Sequence, residues 1–282
     1  MFCDIELARR IEAVESGLVS AIVDHVTVAA PALGAWREVV AGGMALFAGA
    51  GNPVNKVIGV GFDEPPAPVE LERLEQRYYA AGAPVRVEMS TLARAESHTA
   101  LSSRGYILQG FENVLGRRIG DDAPPTGAHG IEVQPVASDR LDAWLRALVE
   151  GFATPDDSGA GGDEPLPSTD DLLGLFRHIF TATGYCRYEA LVDGVPAGGA
   201  IAWFDGDVAF FGGASTLPAY RRRGVQRALF DARLGDARRR GCQLAVLGTQ
   251  PGTTSQANAQ RRGFSLLYAR AVWQAAIGFV RG

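Results

Sequence analysis

One pattern occurs twice in this chain of 282 residues, and it constrains the fold more than any other feature. A helical segment ends on a glycine, a strand and a short helix follow, and a second glycine opens a final strand. Gly82 and Gly105 mark the first occurrence, 23 residues apart, and Gly241 and Gly263 mark the second, 22 apart. The segment "SSRGYILQGFENVL" stands in the first where "QRRGFSLLYARAVW" stands in the second. One repetition over more than a hundred residues describes a duplicated domain, whereas solenoids repeat many times over a short period. Independent use of a common helix–glycine–strand unit would leave the same trace, so duplication stands here as an expectation.

Between the two occurrences, "GDDAPPTGAHG" (residues 120–130) collects Gly, Pro and Asp in the manner of a linker. It divides the chain into expected domains 1–122 and 129–282, each large enough for its own core. Upstream, apolar spacing predicts a helix over "ELARRIEAVESGLVSAIVDHV", a strand over "NKVIGVGF", a helix over "VELERLEQRYYAAG", a strand over "PVRVEM", a helix over "ARAESHTALSSRG" and a strand over "YILQGFENVL". Downstream the same order recurs, with an antiparallel pair "CRYEALVDG" and "VPAGGAIAWFDGD" before the strand "VAFFGGAST". The long helix "VQRALFDARLGDARRRG", the strand "CQLAVLG", the short helix "SQANAQRRG" and the strand "FSLLYARAVW" complete it. The expected class is α/β with a mixed sheet.

Composition removes several functions. The net charge of −5 argues against general nucleic-acid binding, which needs a broad basic face. Three scattered cysteines, no C-x-x-C spacing and no secretory leader pattern point to a reducing cytoplasm. His25, His98, His129 and His178 share no metal-ligand spacing, so no metal is expected. No apolar run reaches the roughly 20 residues of a membrane span. "GAGNPVN" is Gly-rich but opens no patterned helix, and reads as a loop.

Any basic site must then be local, and one segment supplies it. "YRRRGVQ" runs from a strand into a helix, which aims unpaired first-turn N–H groups at whatever occupies the loop. The helix dipole adds roughly half a positive charge there, and Gly224 has no Cβ to hold an anion away from the backbone. Arg221, Arg222, Arg223 and Arg227 can add charge-assisted contacts to phosphate oxygens. A solvated basic helix start is the plainer alternative.

With its flanking elements this loop resembles the GNAT acetyltransferase superfamily. In that family Gln or Arg, two residues, Gly, one residue, then Gly or Ala opens the central helix, whose amides hold the pyrophosphate of acetyl-coenzyme A. Arg221 and Gly224 meet the pattern, and Gln226 stands where Gly or Ala is usual. The resemblance covers most of residues 130–275 and implies two tandem GNAT-like domains with acetyl-coenzyme A as cosubstrate. It implies a cofactor loop of Arg221, Arg222, Arg223, Gly224, Val225, Gln226 and Arg227. The backbone of Ser215, Thr216 and Leu217 would bond the pantetheine arm where this strand splays from "CQLAVLG". An amide near Ala214 to Thr216 would face the thioester carbonyl. Ser255 and Asn258, on the short helix, would approach the coenzyme, with a helix cap as the alternative role, above all for Ser255.

Acetyl transfer needs a neutral amine, a proton acceptor and a donor for the departing thiolate. The family often takes the donor from a Tyr four residues before the Gly of its "GF" signature, where this chain has Ala259. Tyr268 and Tyr220 are the nearest substitutes by sequence; Tyr268 is preferred for its place on the final strand, and a core role competes for both. The strand "VAFFGGAST" has no carboxylate, so deprotonation is expected through water or through the acidic loop "EGFATPDDSGAGGDEPLPSTDD", which could also attract a cationic amine. In the first half, Asp63 and Glu64 replace arginines, and Pro65, Pro66 and Pro68 remove amide donors. That half is expected to be degenerate, with one cosubstrate site per chain. The expected function is N-acetyltransfer to a small-molecule or peptide amine, and the competing one is a coenzyme-A-binding sensor without catalysis.

Overall fold

The computed structural model describes residues 1–120, 130–154 and 169–275. In chain order these form α1 (Ile5–Ala29), β1 (Trp36–Val40), β2 (Gly43–Phe47), β3 (Lys56–Ile58), α2 (Pro68–Ala80), β4 (Val85–Ser90), α3 (Ala95–Ser103) and β5 (Ile107–Arg118). The second half supplies β6 (Ile131–Pro135), α4 (Leu141–Ala153), α5 (Thr169–Phe180), β7 (Cys186–Val192), β8 (Val195–Asp205), β9 (Val208–Thr216), α6 (Val225–Arg239), β10 (Leu244–Thr249), α7 (Thr254–Arg261) and β11 (Ser265–Ala275). The elements expected from periodicity are present. The β1–β2 hairpin is an addition: both strands are short, exposure alternates along β1 but "WREVV" puts polar and apolar residues out of step with it, and β2 is buried continuously over Ala45–Phe47. No helix among the described residues is long and apolar enough to cross a membrane.

The chain folds as two compact units, one of Met1–Val114 with Leu266–Gly282 and one of Leu115–Ser265. In the first, the strand order is β1-β2-β3-β4-β11-β5. Its position beside β4 is fixed by an antiparallel register from Arg270↔Ser90 to Ala275↔Val85, so the last strand of the chain lies in the unit of the first residues. The first unit is therefore discontinuous in the chain and the second continuous, whereas 1–122 and 129–282 are the two copies proposed on sequence grounds. The linker residues 121–129 lie outside the described chain.

In the second unit the end of β5 is followed by β10, β9, β8, β7 and β6. A core of Ala209, Phe211, Leu229, Phe230, Leu247 and Phe264 lies between sheet and α6. On α4, Trp144 donates from Nε1 to the Tyr188 carbonyl at 2.9 Å, and a Cβ at Gly199 would stand 2.3 Å from that nitrogen. The glycine pair of β8 thus lets α4 lie close to the sheet.

The first unit buries a charge cluster. Arg270, fully buried, reaches Glu12 at 2.7 Å, Glu15 at 2.6 Å and Glu112 at 2.8 Å. Lys56 reaches Glu15 at 2.6 Å and Glu88 at 2.9 Å. These charges come from α1, β3, β4, β5 and β11, so the cluster ties the sheet to α1. Burial raises the proton affinity of Glu12 against the opposing pull of Arg270. Burial alone would raise Glu15 too, but Arg270 and Lys56 outweigh it and hold Glu15 at about 2.

Removing one partner of such a network strands the others, so Arg270→Met is expected to destabilise the fold by about 3–5 kcal/mol in denaturant titration. The pH dependence follows by linkage. Glu12, raised, stabilises the fold below the ordinary carboxylate range and loses that contribution as pH rises through its folded value. Glu15, lowered, contributes above the ordinary range and loses it as pH falls toward 2. Denaturation midpoints from acid to alkaline pH check both: Glu12→Gln should flatten the alkaline side, and Glu15→Gln the acid side.

Candidate functional site

The second unit opens where two of its strands part. β9 and β10 pair in parallel through Leu244↔Val208, Ala245↔Ala209 and Val246↔Phe210, and there their register ends. On its other side β9 stays paired to β8 as far as Gly198↔Thr216, and Leu217 N donates to Ala197 O at 2.9 Å. The β10-facing edge of β9 after Phe210 is therefore one side of a notch whose other side is Leu247 to Thr249. This is the splay expected from the sequence, and it contains Ser215 and Thr216.

Within the notch β9 carries a bulge. Gly199 opposes Ser215 and Ile201 opposes Gly212, so β9 holds one more residue than β8. Gly213 has φ of +49°, and a Cβ there would stand 2.3 Å from the Phe180 ring, so both conformation and space require glycine. The pair "GG" in "VAFFGGAST" is the sequence signal for such a bulge. Ser215 itself is buried, its hydroxyl donating to Leu148 O at 2.7 Å.

The arginine loop lies between β9 and α6. Gly224 is the N-cap of α6 with φ of +94°, and Arg222 is also left-handed at +60°. The first turn of α6 has no side-chain cap. Two other helices have such a cap, Asp4 accepting from Leu7 N in α1 and Thr253 from Gln256 N in α7, while α3 and α4, like α6, have none. Gln226 turns toward the strand, Nε2 donating to Thr216 Oγ1 at 2.9 Å. Val225 is buried beneath the turn.

The arginines divide. Arg221 donates to the carbonyls of Thr216 at 3.4 Å and Gly151 at 3.2 Å, and also to that of Thr154, so its guanidinium tethers the loop to the end of α4. Arg223 lies 5.3 Å over the Tyr220 ring and 3.9 Å from Asp193, half-exposed. Arg227 is 3.7 Å from Asp231 on the next turn.

The short helix α7 is capped by Thr253, so Ser255 is not the cap; Ser255 is exposed, and Asn258 accepts from Arg261 at 2.6 Å. Ala259, at the position expected for a tyrosine donor, is buried in the core. Tyr268 belongs to the first unit, where its hydroxyl donates to Glu12 at 2.7 Å; burial and the nearby Glu12 carboxylate hold its proton well above the ordinary tyrosine range. Of the acidic loop, residues 155–168 lie outside the described chain. A cavity of about 1020 Å³ lines the other end of α6, with Arg187, Asp236 and Arg240 in its wall, away from the notch.

The corresponding features of the first unit are closed. β3 and β4 pair at Val57↔Val87 and Ile58↔Glu88, after which Arg94 N donates to Gly61 O at 2.9 Å and Ser97 Oγ to the same oxygen at 3.1 Å. At the start of α2, Pro68 has no N–H, and Glu70 folds back to accept from Ala67 N at 3.0 Å. Asp63 pairs with Arg9. A carboxylate of the chain itself stands where an incoming anion would bind.

Comparison with known proteins agrees with this geometry. Residues 152–264 match the acetyltransferase (GNAT) family. No curated protein matches the sequence. Among solved structures, a GCN5-related N-acetyltransferase from Kribbella flavida superposes with a TM-score of 0.63 at 18% identity, over 94% of this chain and 96% of that one. A tandem GNAT protein from the clavulanic acid biosynthesis pathway gives 0.59 at 11% identity, over 85% and 79%. A GCN5-related N-acetyltransferase from Sphaerobacter thermophilus gives 0.53 at 16%, over 74% and 66%. Residues 152–264 thus match the GNAT acetyltransferase family, and the fold, N-terminal half included, is that of tandem GNAT proteins.

Proposed function

We propose that the protein is a metal-independent N-acetyltransferase of the cytoplasm, moving an acetyl group from acetyl-coenzyme A to a primary amine of a small molecule or peptide. The observation that carries this reading is the parting of β9 and β10 beside an uncapped helix start. Pyrophosphate would sit against the amides of Gly224 to Arg227, where the dipole of α6 favours negative charge. Arg222, Arg223 and Arg227 would add charge there, the last two by leaving Asp193 and Asp231, while Arg221 holds the loop in place. The pantetheine arm would bond the β10-facing edge of β9 at Ser215 and Thr216, because Leu217 already gives its N–H to Ala197 O and its carbonyl to Tyr220 N. Ser255 and Asn258 flank it from α7.

The bulge at Gly212 and Gly213 leaves β9 one residue longer than β8, and a backbone N–H there would suit the oxyanion formed as a neutral amine attacks the thioester carbonyl. Water takes the amine proton, since β9 offers no carboxylate. Tyr268, the tyrosine preferred from sequence as donor, has its hydroxyl engaged with Glu12. That engagement favours one second reading, a coenzyme-A-binding sensor that does not turn over.

Thiol release from acetyl-coenzyme A across a panel of amines separates the two: the enzyme releases coenzyme A with at least one amine, and the sensor binds it without turnover. Calorimetry should give one coenzyme A per chain, because the first unit closes its own notch; two would contradict that closure. Gly224→Glu, which puts bulk and negative charge into the loop, should weaken coenzyme A binding at least tenfold, about 1.4 kcal/mol. Unchanged affinity in the folded variant would remove the phosphate loop from the reading.

A further inference from the structure

Thr249 ends β10, three residues beyond the last one paired with β9. It is 5% exposed, and its Oγ1 has no hydrogen-bond partner among the described residues. Leaving a buried hydroxyl unpaired is costly, and structures keep few of them. Side chains alternate along a strand, so Thr249 shares a face with Ala245 and Leu247, which pack in the core beneath α6 with Phe211 and Phe264. This is the face of α6, whose start carries the arginine loop. The unpaired hydroxyl therefore stands at the notch, on the side from which a thioester threaded past that loop would arrive.

We propose that the Thr249 hydroxyl is the hydrogen-bond donor to the thioester sulfur and to the thiolate that departs from it. The inference rests on the acetyl-transfer reading. It supplies the group that Ala259, buried and without a polar atom, does not. As the amine nitrogen bonds to the carbonyl carbon, the C–S bond breaks and its electron pair leaves on sulfur. Thr249 donates its O–H to that sulfur and keeps its proton, because an aliphatic alcohol is a far weaker acid than a thiol. The proton lost by the amine goes to water, and solvent protonates the released thiolate. Charge-assisted hydrogen bonds of this kind are stronger than neutral ones, so the contact favours the transition state over the ground state.

Thr249→Val keeps the shape and removes the donor. In the free protein its denaturation midpoint should be unchanged or higher, since no partner is lost. Its KM for acetyl-coenzyme A should hold while kcat falls about tenfold, and Thr249→Ser should retain activity. A second readout needs no turnover: the thiol of bound coenzyme A, titrated by thiolate absorbance, should deprotonate at higher pH in Thr249→Val than in the parent protein. A raised KM with unchanged kcat would place the hydroxyl on the pantetheine arm and overturn the proposal, as would a lowered midpoint or an unmoved thiol titration. If no amine is acetylated by the parent protein, acetyl transfer fails as the function, and the thiol titration still decides the role of Thr249.

Discussion

The site depends on a parallel ladder that stops. From Val208 to Phe210 the strands β9 and β10 satisfy each other's backbone, and beyond Phe210 they do not. β9 does not collapse across the gap because β8 holds it through Thr216, and Ser215 and Arg221 anchor the same stretch to α4. Backbone groups on an unpaired edge need partners. A strand edge held rigidly open inside a sheet is therefore a binding surface by construction, and an extended amide-bearing chain is the ligand it suits.

The first unit shows the same architecture with that tension resolved internally. Its β3–β4 ladder also stops early, but Gly61 O receives two hydrogen bonds from the segment that begins α3, and the helix start of α2 is filled by Glu70. The charge cluster around Arg270 goes further, replacing solvent and ligand with side chains from five elements. Buried ion networks are weak sources of stability but strict about geometry. A unit tied in this way turns its buried charges on one another.

The sequence made the outline legible because its signals were local. The glycines at 82, 105, 241 and 263 all adopt positive φ after a helix, which is why they could be counted off as a repeat. The loop at Gly224 was legible for the same reason. What remained hidden was long-range. Nothing near Ala271 tells that it pairs with Met89, and nothing near Tyr268 tells that its hydroxyl meets Glu12 on the first helix. Tyr268 is near the expected thioester along the chain, yet the hydrogen bond that engages it spans 256 residues. Threonine at a strand end carries no motif, and only burial without a partner among the described residues distinguishes Thr249.

The arginines that drew attention to the loop illustrate how charge and site can part company. Arg221, the residue that satisfies the family pattern, spends its donors on the carbonyls of Thr216, Gly151 and Thr154. Carbonyls at the end of a helix are where a cation is favoured, and α4 ends at Ala153. The guanidinium thus serves the C-terminus of one helix so that the N-terminus of another stands open. What the loop itself offers is backbone: residues 222 and 224 are both left-handed, the kind of turn whose successive N–H groups can form an anion-binding concavity. On the acetyl-transfer reading, a chain of net charge −5 would meet a polyphosphate at this one loop, where the helix start and the left-handed turns concentrate the field.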